Sequence, residues 1–518
     1  MTGFMITDRY GNEMPPPRRA AADTSYAGAS MTAREMASWQ VLPTSADAEL
    51  LPELGTLVAR SRDLARNNGI AAGGIQSILD NVVGTGLRLS ATPDYRALAR
   101  DKAWADEWSE VVEAKWRAWA ETTNCDAART LNFAGLTMQV FRGGLLNGEG
   151  LALPLWLPSR DRTYATCLQV VEADRLSNPL GQQDTAILRG GIELDRYGAP
   201  LAYHVRNSHP GDLLSWTPDL YQWTRVPAFT YWGRRQAIHI HDRERTGQNR
   251  GKPLLSAVLP QFKMLDTYSG AELKAAIVNA MIAAFVKSSM PAEAIAGLFG
   301  SPEKYLDARS GHTVRLQGGA VLPLFPGDEV QPFAPARPAT AFDAFTKSVL
   351  RHIAAGLNIP YELLLKDFSQ TNYSSARAAL LEAWRFFNGR RQWLATYWAS
   401  PVYELWLEEA VNLGEVEAPD FYQNRYAYSR CRWIGAGKGW VDPVKEAQAA
   451  ELRMKIGVST LEDECAEQGK DWREVAEQRA SEAKFLRQHG LPLPWEQAAQ
   501  IGHTGGPPLD EEQPGDPS

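Results

Sequence analysis

The sequence predicts an α+β fold in which long helices flank one region of short antiparallel strands. Apolar residues recur at three- and four-residue spacing over residues 51–83 and again over 340–357, which predicts amphipathic helices. Residues 150–240 contain short β-branched and aromatic runs separated by turn signals such as Asn-Pro and Tyr-Gly, which predict antiparallel strands. With 518 residues, 44% of them hydrophobic, the chain can bury a large core and is expected to hold more than one domain.

The N-terminal part of the chain combines a polar arm with helices. Residues 1–50 include three consecutive prolines and many small residues, and we expect a mobile arm. The helix over 51–83 ends at glycines that precede a short strand at 87–89. The next helix has a broad apolar stripe, which indicates core packing rather than a cofactor site. The stripe consists of Trp104, Trp108, Val111, Val112, Trp116 and Trp119.

Residues 254–287 predict one long helix, bent near Pro260 and about 50 Å long at 1.5 Å per residue. Its second half is apolar nearly all round. A small domain cannot bury such a helix from every side, but identical neighbours in a ring can. We therefore expect this segment to hold the contact between copies of the chain. The residues assigned to that contact are Ile277, Met281, Ile282 and Phe285.

A compact segment separates this helix from the next one. Residues 290–339 are rich in Pro and Gly, and Gly318-Gly319 between two apolar runs predicts a β-hairpin. The chain then returns in a helix over 340–358, for which Thr340 is the expected N-cap.

A polar loop at 359–375 connects that helix to a long helix over 376–413, with Ser375 as the expected N-cap and Pro401 as an interruption. A loop held between two long helices is placed to touch something that passes by. The alternative is that it only joins them, with its two aromatic residues packed against the helix ends. The residues assigned to the contact are Lys366, Asp367, Phe368, Ser369, Gln370, Thr371, Asn372 and Tyr373.

The C-terminal part is predicted to be helical and then disordered. Residues 414–490 include a stretch rich in Ala, Glu, Lys and Arg, whose charges are expected to form solvated helix faces. Residues 491–518 end in an acidic, Pro- and Gly-rich tail that we expect to be disordered.

Composition excludes several classes of protein. A net charge of −7 argues against a protein that grips nucleic acid, because such binding depends on Lys and Arg. The four cysteines lie far apart, so neither a disulfide framework nor a zinc ribbon is indicated, and a reducing compartment is expected. The N-terminus does not resemble a secretory signal, and the longest apolar run, 275–286, is shorter than the roughly 20 residues that span a bilayer. We therefore expect a soluble protein.

Two short motifs invite a catalytic interpretation, and each has a simpler one. His239 and His241 would lie on one face of a strand, a spacing found in zinc sites, but alternating Ile238 and Ile240 already explain a half-buried strand. The G-A-G-K-G at 435–439 lacks the Ser or Thr that a phosphate-binding loop requires.

Other candidate motifs are weaker. Glycines at 143–150 do not have dinucleotide-binding spacing and predict a turn. The acidic run at 462–464 lies in a helical stretch, where a solvated face is expected rather than a nuclease site. We predict no catalytic residue, no metal site and no cofactor. The enzyme alternative is a zinc-dependent hydrolase that uses His239 and His241.

Seven short motifs between residues 61 and 375 are informative because of the order in which they occur along the chain. The most specific are N-Y-S-S at 372–375 and G-L-N-I-P at 356–360. The others are S-R-D-L-A-R-N-N at 61–68, D-N-V-V-G-T-G-L-R-L at 80–89, V-E-A-D-R-L at 171–176, G-I-E-L-D-R-Y-G-A-P-L-A-Y-H-V at 191–205 and G-Q-N-R-G-K-P at 247–253. Together they resemble the lambda-type portal proteins of tailed bacteriophages.

This resemblance implies a portal fold and assigns a name to each part. The parts are a β-rich wing at 51–253, a stem helix at 254–289, a small clip at 290–339, a second stem helix at 340–358, a tunnel loop at 359–375, a long kinked helix at 376–413 and a C-terminal wing and α-helical crown at 414–490.

The resemblance also implies a structural role without catalysis. Portal proteins form a ring, usually of twelve copies, at one vertex of the phage head in the virion. Double-stranded DNA is packaged and ejected through the ring without sequence-specific binding. Implied partners are the terminase large subunit, a head-completion or adaptor protein, and the major capsid and scaffold proteins, with assembly in the cytoplasm of the host bacterium. Another head-tail connector ring protein would share the ring, but not this order of helix, clip, helix and loop.

Overall fold

The computed structural model describes residues 26–212, 221–281, 284–288, 328–332, 342–369, 372–439 and 442–495, with a few further residues between 293 and 307. The described residues form helices on both sides of a strand-rich region, which confirms the predicted α+β class.

The N-terminal helical region consists of two helices, α1 (Ala46–Asn67) and α2 (Gly69–Val82), where the sequence predicts one. The difference lies at Asn68, whose side chain accepts hydrogen bonds from the N–H groups of Ile70 and Ala71 at 3.0 Å. An Asn side chain can replace a backbone acceptor in this way, so it caps α2 instead of continuing α1.

A short strand, β1 (Arg88–Ala91), and the Trp-rich helix α3 (Lys102–Ala120) follow. The ring of Trp116 lies 5.2 Å from that of Phe133 and 5.4 Å from that of Trp406, centroid to centroid, so the stripe is indeed core. Val111 is 48% exposed, against the prediction, because it lies at the edge of the stripe.

A helix, α4 (Phe133–Asn147), leads into two antiparallel sheets, which confirm the strands expected from 150 to 240. One sheet has three strands, and the strand that comes first in the chain lies between the other two. The other sheet is a meander of four strands. The strands are β2 (Glu149–Trp156), β3 (Thr166–Val171), β4 (Leu188–Arg189), β5 (Ile192–Leu194), β6 (Pro200–Arg206), β7 (Trp223–Pro227) and β8 (Ile238–His241).

The long stem helix is shorter than predicted. A 3₁₀ turn at Leu254–Ala257 precedes α5 (Leu259–Met281), and Ala284–Ser288 form a strand, β9, rather than helix. β9 pairs antiparallel with β10 (Asp328–Pro332), and this pairing satisfies the backbone of a segment whose Phe and Val also favour strands. The hairpin predicted at Gly318-Gly319 and the N-cap predicted at Thr340 lie outside the described residues.

Next in the chain come the predicted second stem helix, a short helix and a long helix in two halves. A π-helical turn at Ala395–Ala399 divides the long helix directly before Pro401 and accommodates the residue that lacks a backbone N–H. The helices are α6 (Phe342–Gly356), α7 (Tyr361–Leu365), α8 (Tyr373–Leu394) and α9 (Ser400–Asn412).

The C-terminal part returns to the start of the wing. A short helix, α10 (Arg425–Ser429), precedes β11 (Cys431–Ile434), which pairs antiparallel with β1. Three helices then confirm the helical prediction for this region, and none of their residues is fully buried in the described chain. These crown helices are α11 (Pro443–Lys455), α12 (Leu461–Glu467) and α13 (Trp472–Gln488).

The main core lies where α2, α3, α4, α8 and α9 meet. Trp398 is fully buried there, and its Nε1 donates to Thr137 Oγ1 at 2.9 Å. The four cysteines are free, as expected from their spacing. In the ranges given above, no helix combines the length and the apolar character needed to cross a bilayer.

Candidate functional site

The loop between α6 and α8 is anchored at its base. Leu357 and Ile359 are buried after the end of α6, and Leu364 of α7 is buried against α2. A Cβ on Gly74 of α2 would lie 2.8 Å from Leu364 Cδ1, so the missing side chain lets the base of the loop pack closely. The helix α7 was not predicted, because its five residues are too few to show a helical period.

The tip of the loop is exposed. Lys366 ends α7 with a left-handed backbone (φ 56°), a conformation that costs a non-glycine residue about 1–2 kcal/mol. Asp367, Phe368 and Ser369 follow, and Phe368 is 40% exposed. Hydrogen bonds from the Ser369 side chain and from its backbone N–H, at 3.0 Å, hold the pKa of Asp367 below its usual value. Lys366 and Asp367 therefore present a cation and an anion side by side to solvent.

The end of the loop is held by a helix cap. Asn372, rather than the predicted Ser375, is the N-cap of α8, and its side-chain oxygen accepts from the N–H of Ser375 at 2.8 Å. The helix therefore begins at Tyr373, so the last residue assigned to the loop belongs to α8. Gln370 and Thr371 lie outside the described residues.

The helices α5 and α6, the predicted stem, pack on each other through aromatic rings. Tyr268 lies 5.4 Å from Phe342 and 5.2 Å from Phe345, centroid to centroid. Beside this contact, Met264 and Phe345 line an apolar cavity of about 340 Å³. Met264 is 66% exposed, so this chain alone does not cover the apolar surface of its own stem.

Of the four residues assigned to the contact between copies, the structure places two on α5 and one on β9. Ile277 lies on α5 with 51% exposure, and Met281 is the last residue of that helix. Phe285 lies on strand β9, which corrects its assignment to a helix, and Ile282 is outside the described residues.

The histidine pair on β8 does not form a zinc site. His239 Nε2 lies 2.9 Å from Glu149 Oε2, and both side chains are buried. Glu149 is already bound by Arg250, whose charge, together with His239, outweighs burial and holds the pKa of Glu149 well below its usual value. Burial and the neighbouring His239 lower the pKa of His241 to about 3. The hydrolase alternative is therefore not supported.

Arg250 connects several of the sequence motifs in the folded chain. It belongs to G-Q-N-R-G-K-P, and its Nη1 donates to the carbonyl oxygens of Leu176 and Gly190 at 2.7 Å. Its Nη2 donates to Ala173 O at 3.0 Å, and its Nε lies 2.7 Å from Glu149 Oε1. One buried guanidinium thus joins the V-E-A-D-R-L segment, the meander and the first sheet, which is a structural role.

The G-A-G-K-G segment lies in a close contact between two parts of the backbone. A Cβ on Gly437 would lie 2.6 Å from the backbone of Gln468, and one on Gly84 would lie 2.6 Å from Ala436 Cβ. Lys438 Nζ is bound to Glu467 at 2.6 Å instead of being free for a phosphate. These glycines join the crown helices to the wing by close backbone contact.

Of the described residues, Glu172, Asp174 and His209 form the one group with potential metal-ligand atoms within 4.8 Å of one another. Arg62 already pairs with Asp174. The N–H of Gly211 donates to His209 Nδ1 at 3.0 Å, which places the proton of a neutral imidazole on Nε2. Nε2 is the atom that faces both carboxylates, so in the neutral ring this N–H points towards two acceptor oxygens and offers no lone pair to a metal.

Comparisons with known proteins identify the family of this chain. The family model for phage portal proteins of the lambda family matches residues 32–391. Portal protein B of Escherichia phage lambda is 35% identical over 499 residues, covering 92% of each chain. A probable portal protein of Halomonas phage phiHAP-1 is 25% identical over 514 residues, covering 98% of this chain and 96% of the relative.

Among solved structures, a chain of the virion of a native gene transfer agent particle has a TM-score of 0.44 and 14% identity, covering 81% of this chain and 93% of that chain. The family model and the phage relatives cover most of the chain, and they confirm the resemblance seen in the sequence motifs. The chain therefore belongs to the lambda family of phage portal proteins, which are structural components of the virion.

Proposed function

We propose that twelve copies of this chain form a ring at one vertex of the phage head, and that double-stranded DNA passes through its channel during packaging and ejection. The observation that carries the proposal is the loop between α6 and α8, which is buried at its base and exposed at its tip. A loop of this kind holds Lys366 and Asp367 in a fixed place while leaving them free to meet a passing duplex.

Assembly would cover the apolar surface that the isolated chain leaves open. Met264, Leu273 and Ile277 on α5 are each more than half exposed. Burying such side chains contributes about 1.5–3 kcal/mol each, so a neighbouring copy is strongly favoured over water. A head-to-tail contact between identical copies closes into a ring when the rotation between them allows it.

The charge of the chain suits passage rather than binding. At −7 per chain, twelve copies carry 12 × −7, or about −84, which discourages adhesion of phosphate groups. Lys366 would place about twelve positive charges around the duplex, enough to centre it. Because Asp367 offsets these charges and salt screens both over about 10 Å, they do not arrest the DNA.

The remaining parts of the proposal concern partners. Residues 290–339 would form the clip, which contacts the terminase large subunit during packaging and a head-completion protein afterwards. The wing would face the major capsid and scaffold proteins, and assembly would take place in the cytoplasm of the host bacterium. No step in this sequence requires catalysis by the portal itself.

Charge reversal at the loop tests the proposal. Lys366→Glu should leave rings and empty heads intact but lower the amount of DNA packaged or retained, and Lys366→Ala should have a smaller effect in the same direction. The measurement is the mass of DNA per head, with head yield as the control. If both variants package full genomes at normal yield, the loop is a connector and its assignment to DNA is wrong.

A further inference from the structure

The segment between β7 and β8 forms a tight hairpin with two exposed aromatic rings at its tip. The N–H of Thr230 donates to Arg234 O at 2.8 Å, and Gly233, with φ 88°, donates its N–H to Thr230 O at 3.0 Å. Tyr231 and Trp232 form the tip, and their rings are nearly perpendicular with centroids 4.6 Å apart. Tyr231 is 97% exposed, so the described residues give its ring almost no cover.

A buried glutamate fixes this hairpin to the rest of the wing. Glu408 of α9 pairs with Arg234 of the hairpin and, at 3.5 Å, with Arg425 of α10. Arg234 lies over the ring of Trp156 and Arg425 over that of Tyr422, at 5.8 and 5.6 Å from the ring centroids. Arg425 also donates to the carbonyl oxygen at the hairpin tip at 3.5 Å. We call the four aromatic residues around these arginines, each more than half exposed, the aromatic patch: Trp156, Tyr231, Trp232 and Tyr422.

The aromatic patch has the composition of a peptide-binding surface. Tyr and Trp side chains that are held in place lose little entropy on binding, and they are enriched where binding energy is concentrated. Aromatic surfaces accept proline-rich segments in particular, because a polyproline II helix is already extended before it binds. The chain has one run of three consecutive prolines, Pro15-Pro16-Pro17, in the N-terminal arm and outside the described residues. We propose that residues Pro15 to Arg19 of the arm bind to the aromatic patch.

The charges beside the patch suit the two arginines that follow the prolines. Glu417 and Asp420 lie in the segment between α9 and α10, both are exposed, and within the described residues neither forms an ion pair. The arginines of the patch are already paired with glutamates of α9. Arg100 and Arg235, which also lie near the patch, stack on aromatic rings at 5.5 and 4.8 Å. Two carboxylates are therefore open to the two arginines of the arm.

The arm is long enough to reach the patch. It is anchored at Thr44, whose carbonyl oxygen accepts from Arg245 Nη2 at 2.8 Å. The roughly 27 residues between Pro17 and Thr44 span at most about 90 Å when extended. Half of that length still matches the roughly 40 Å across a domain of about 200 residues, which is the size of the wing. The arm can cross its own wing, so this contact is separate from the proposed channel and does not require the ring.

Footprinting of the full chain tests whether the arm covers the patch. The comparison is between the wild type and a variant with Pro15→Ser, Pro16→Ser and Pro17→Ser, each exposed to hydroxyl radicals. Tyr231 and Trp232 should be oxidised severalfold faster in the variant, because the segment that covers them no longer favours the extended form. Tyr197, in the turn between β5 and β6, is the matched control: it is 77% exposed and has an arginine over its ring, but it lies outside the patch. Its oxidation should not change.

Adding the segment back tests the binding surface itself. The probe is a fluorescein-labelled peptide of residues 11–22, titrated into the full-length proline variant and followed by anisotropy. A further Tyr231→Ala or Trp232→Ala substitution should weaken binding at least about tenfold, whereas Tyr197→Ala should have no effect. Tyr231 is almost fully exposed, so its replacement should leave folding unchanged, as circular dichroism would verify.

A double-mutant cycle tests the charges. Glu417→Gln combined with Asp420→Asn keeps both shapes, and it should weaken binding of the peptide about three- to tenfold at low salt. A peptide with Arg18→Gln and Arg19→Gln should bind the proteins with and without these carboxylates equally well.

Equal oxidation of Tyr231 in the wild type and the proline variant, or equal peptide binding by the Tyr231→Ala and Tyr197→Ala proteins, would overturn the inference. Either result would leave the proposed channel untouched, because the loop with Lys366 takes no part in this contact. Failure of the wild-type chain to form a ring would instead count against the proposed function.

Discussion

Replacing Arg250 by Met should strongly destabilise the wing. The substitution keeps an unbranched apolar side chain of similar length but removes the charge that faces Glu149, which is 1% exposed. It also removes the donor for the carbonyl oxygens of Leu176 and Gly190. A buried carboxylate then loses its guanidinium partner, and three carbonyl groups, including that of Ala173, lose their donor.

The size of the effect follows from burial. Removing one partner of a buried ion pair typically costs about 3–5 kcal/mol because the remaining charge is left uncompensated. Arg225→Met is the matched control, since Arg225 makes an equally good two-point contact with Glu193 but is 51% exposed. An exposed pair contributes about 0–1 kcal/mol, so the control should change the free energy of unfolding by no more than that.

Urea denaturation followed by tryptophan fluorescence would measure both variants. The Arg250→Met deficit should also depend on pH. In the wild type the pKa of Glu149 is lowered, so its contribution is present above the ordinary value of 4.5 and is lost as pH falls. Without Arg250, burial raises that pKa instead, so the deficit is largest near pH 7 and shrinks in acid. A deficit no larger than that of Arg225→Met, or one independent of pH, would refute this account of Arg250.

Two further predictions concern the packing at Gly148 and the titration of Glu113. Gly148→Ala should lower the free energy of unfolding by several kcal/mol, because Gly148 has φ 90° and a Cβ would overlap the backbone of Gly251. Gly144→Ala, in open space on α4, is the control and should be neutral or stabilising by up to about 1 kcal/mol. Thermal or urea unfolding measures both, and equal effects of the two substitutions would contradict the packing described. Burial raises the pKa of Glu113 from 4.5 to about 7, so its contribution to stability is present at low pH and is lost as pH rises towards 7. Glu113→Gln should flatten the stability profile between pH 5 and 7, by up to about 3 kcal/mol, and an unchanged profile would show that Glu113 is not the responsible group.

The periodic parts of this fold could be predicted from sequence alone. The Trp stripe of α3 and the strands between 150 and 240 follow from local spacing, because each buries one face of a regular element. The crown helices follow from their content of Ala, Glu, Lys and Arg, which favours helix without a buried face. The break at Asn68 was missed, although an Asn before small residues is a capping signal. The strand at Ala284–Ser288 was missed because its partner is some 40 residues away, and pairing at that distance leaves no local pattern.

The loop proposed to contact DNA was predicted in place but not in detail. Its position between two helices follows from the pattern, and Lys366, Asp367 and Phe368 lie in it as expected. The left-handed backbone at Lys366 and the burial of Leu364 depend on contacts with α2, which no local signal contains. Arg250 was missed as a central residue for the same reason, since its partners come from three separate segments.

Imaging the purified protein in vitreous ice, together with native mass spectrometry, tests the central claim most directly. The account predicts a closed ring with an open axial channel and, for twelve chains of 57.3 kDa, a mass of about 690 kDa. The tip of the loop with Lys366 should line that channel. A stable monomer at every concentration, or a closed ring whose loop tips face away from the channel, would contradict it.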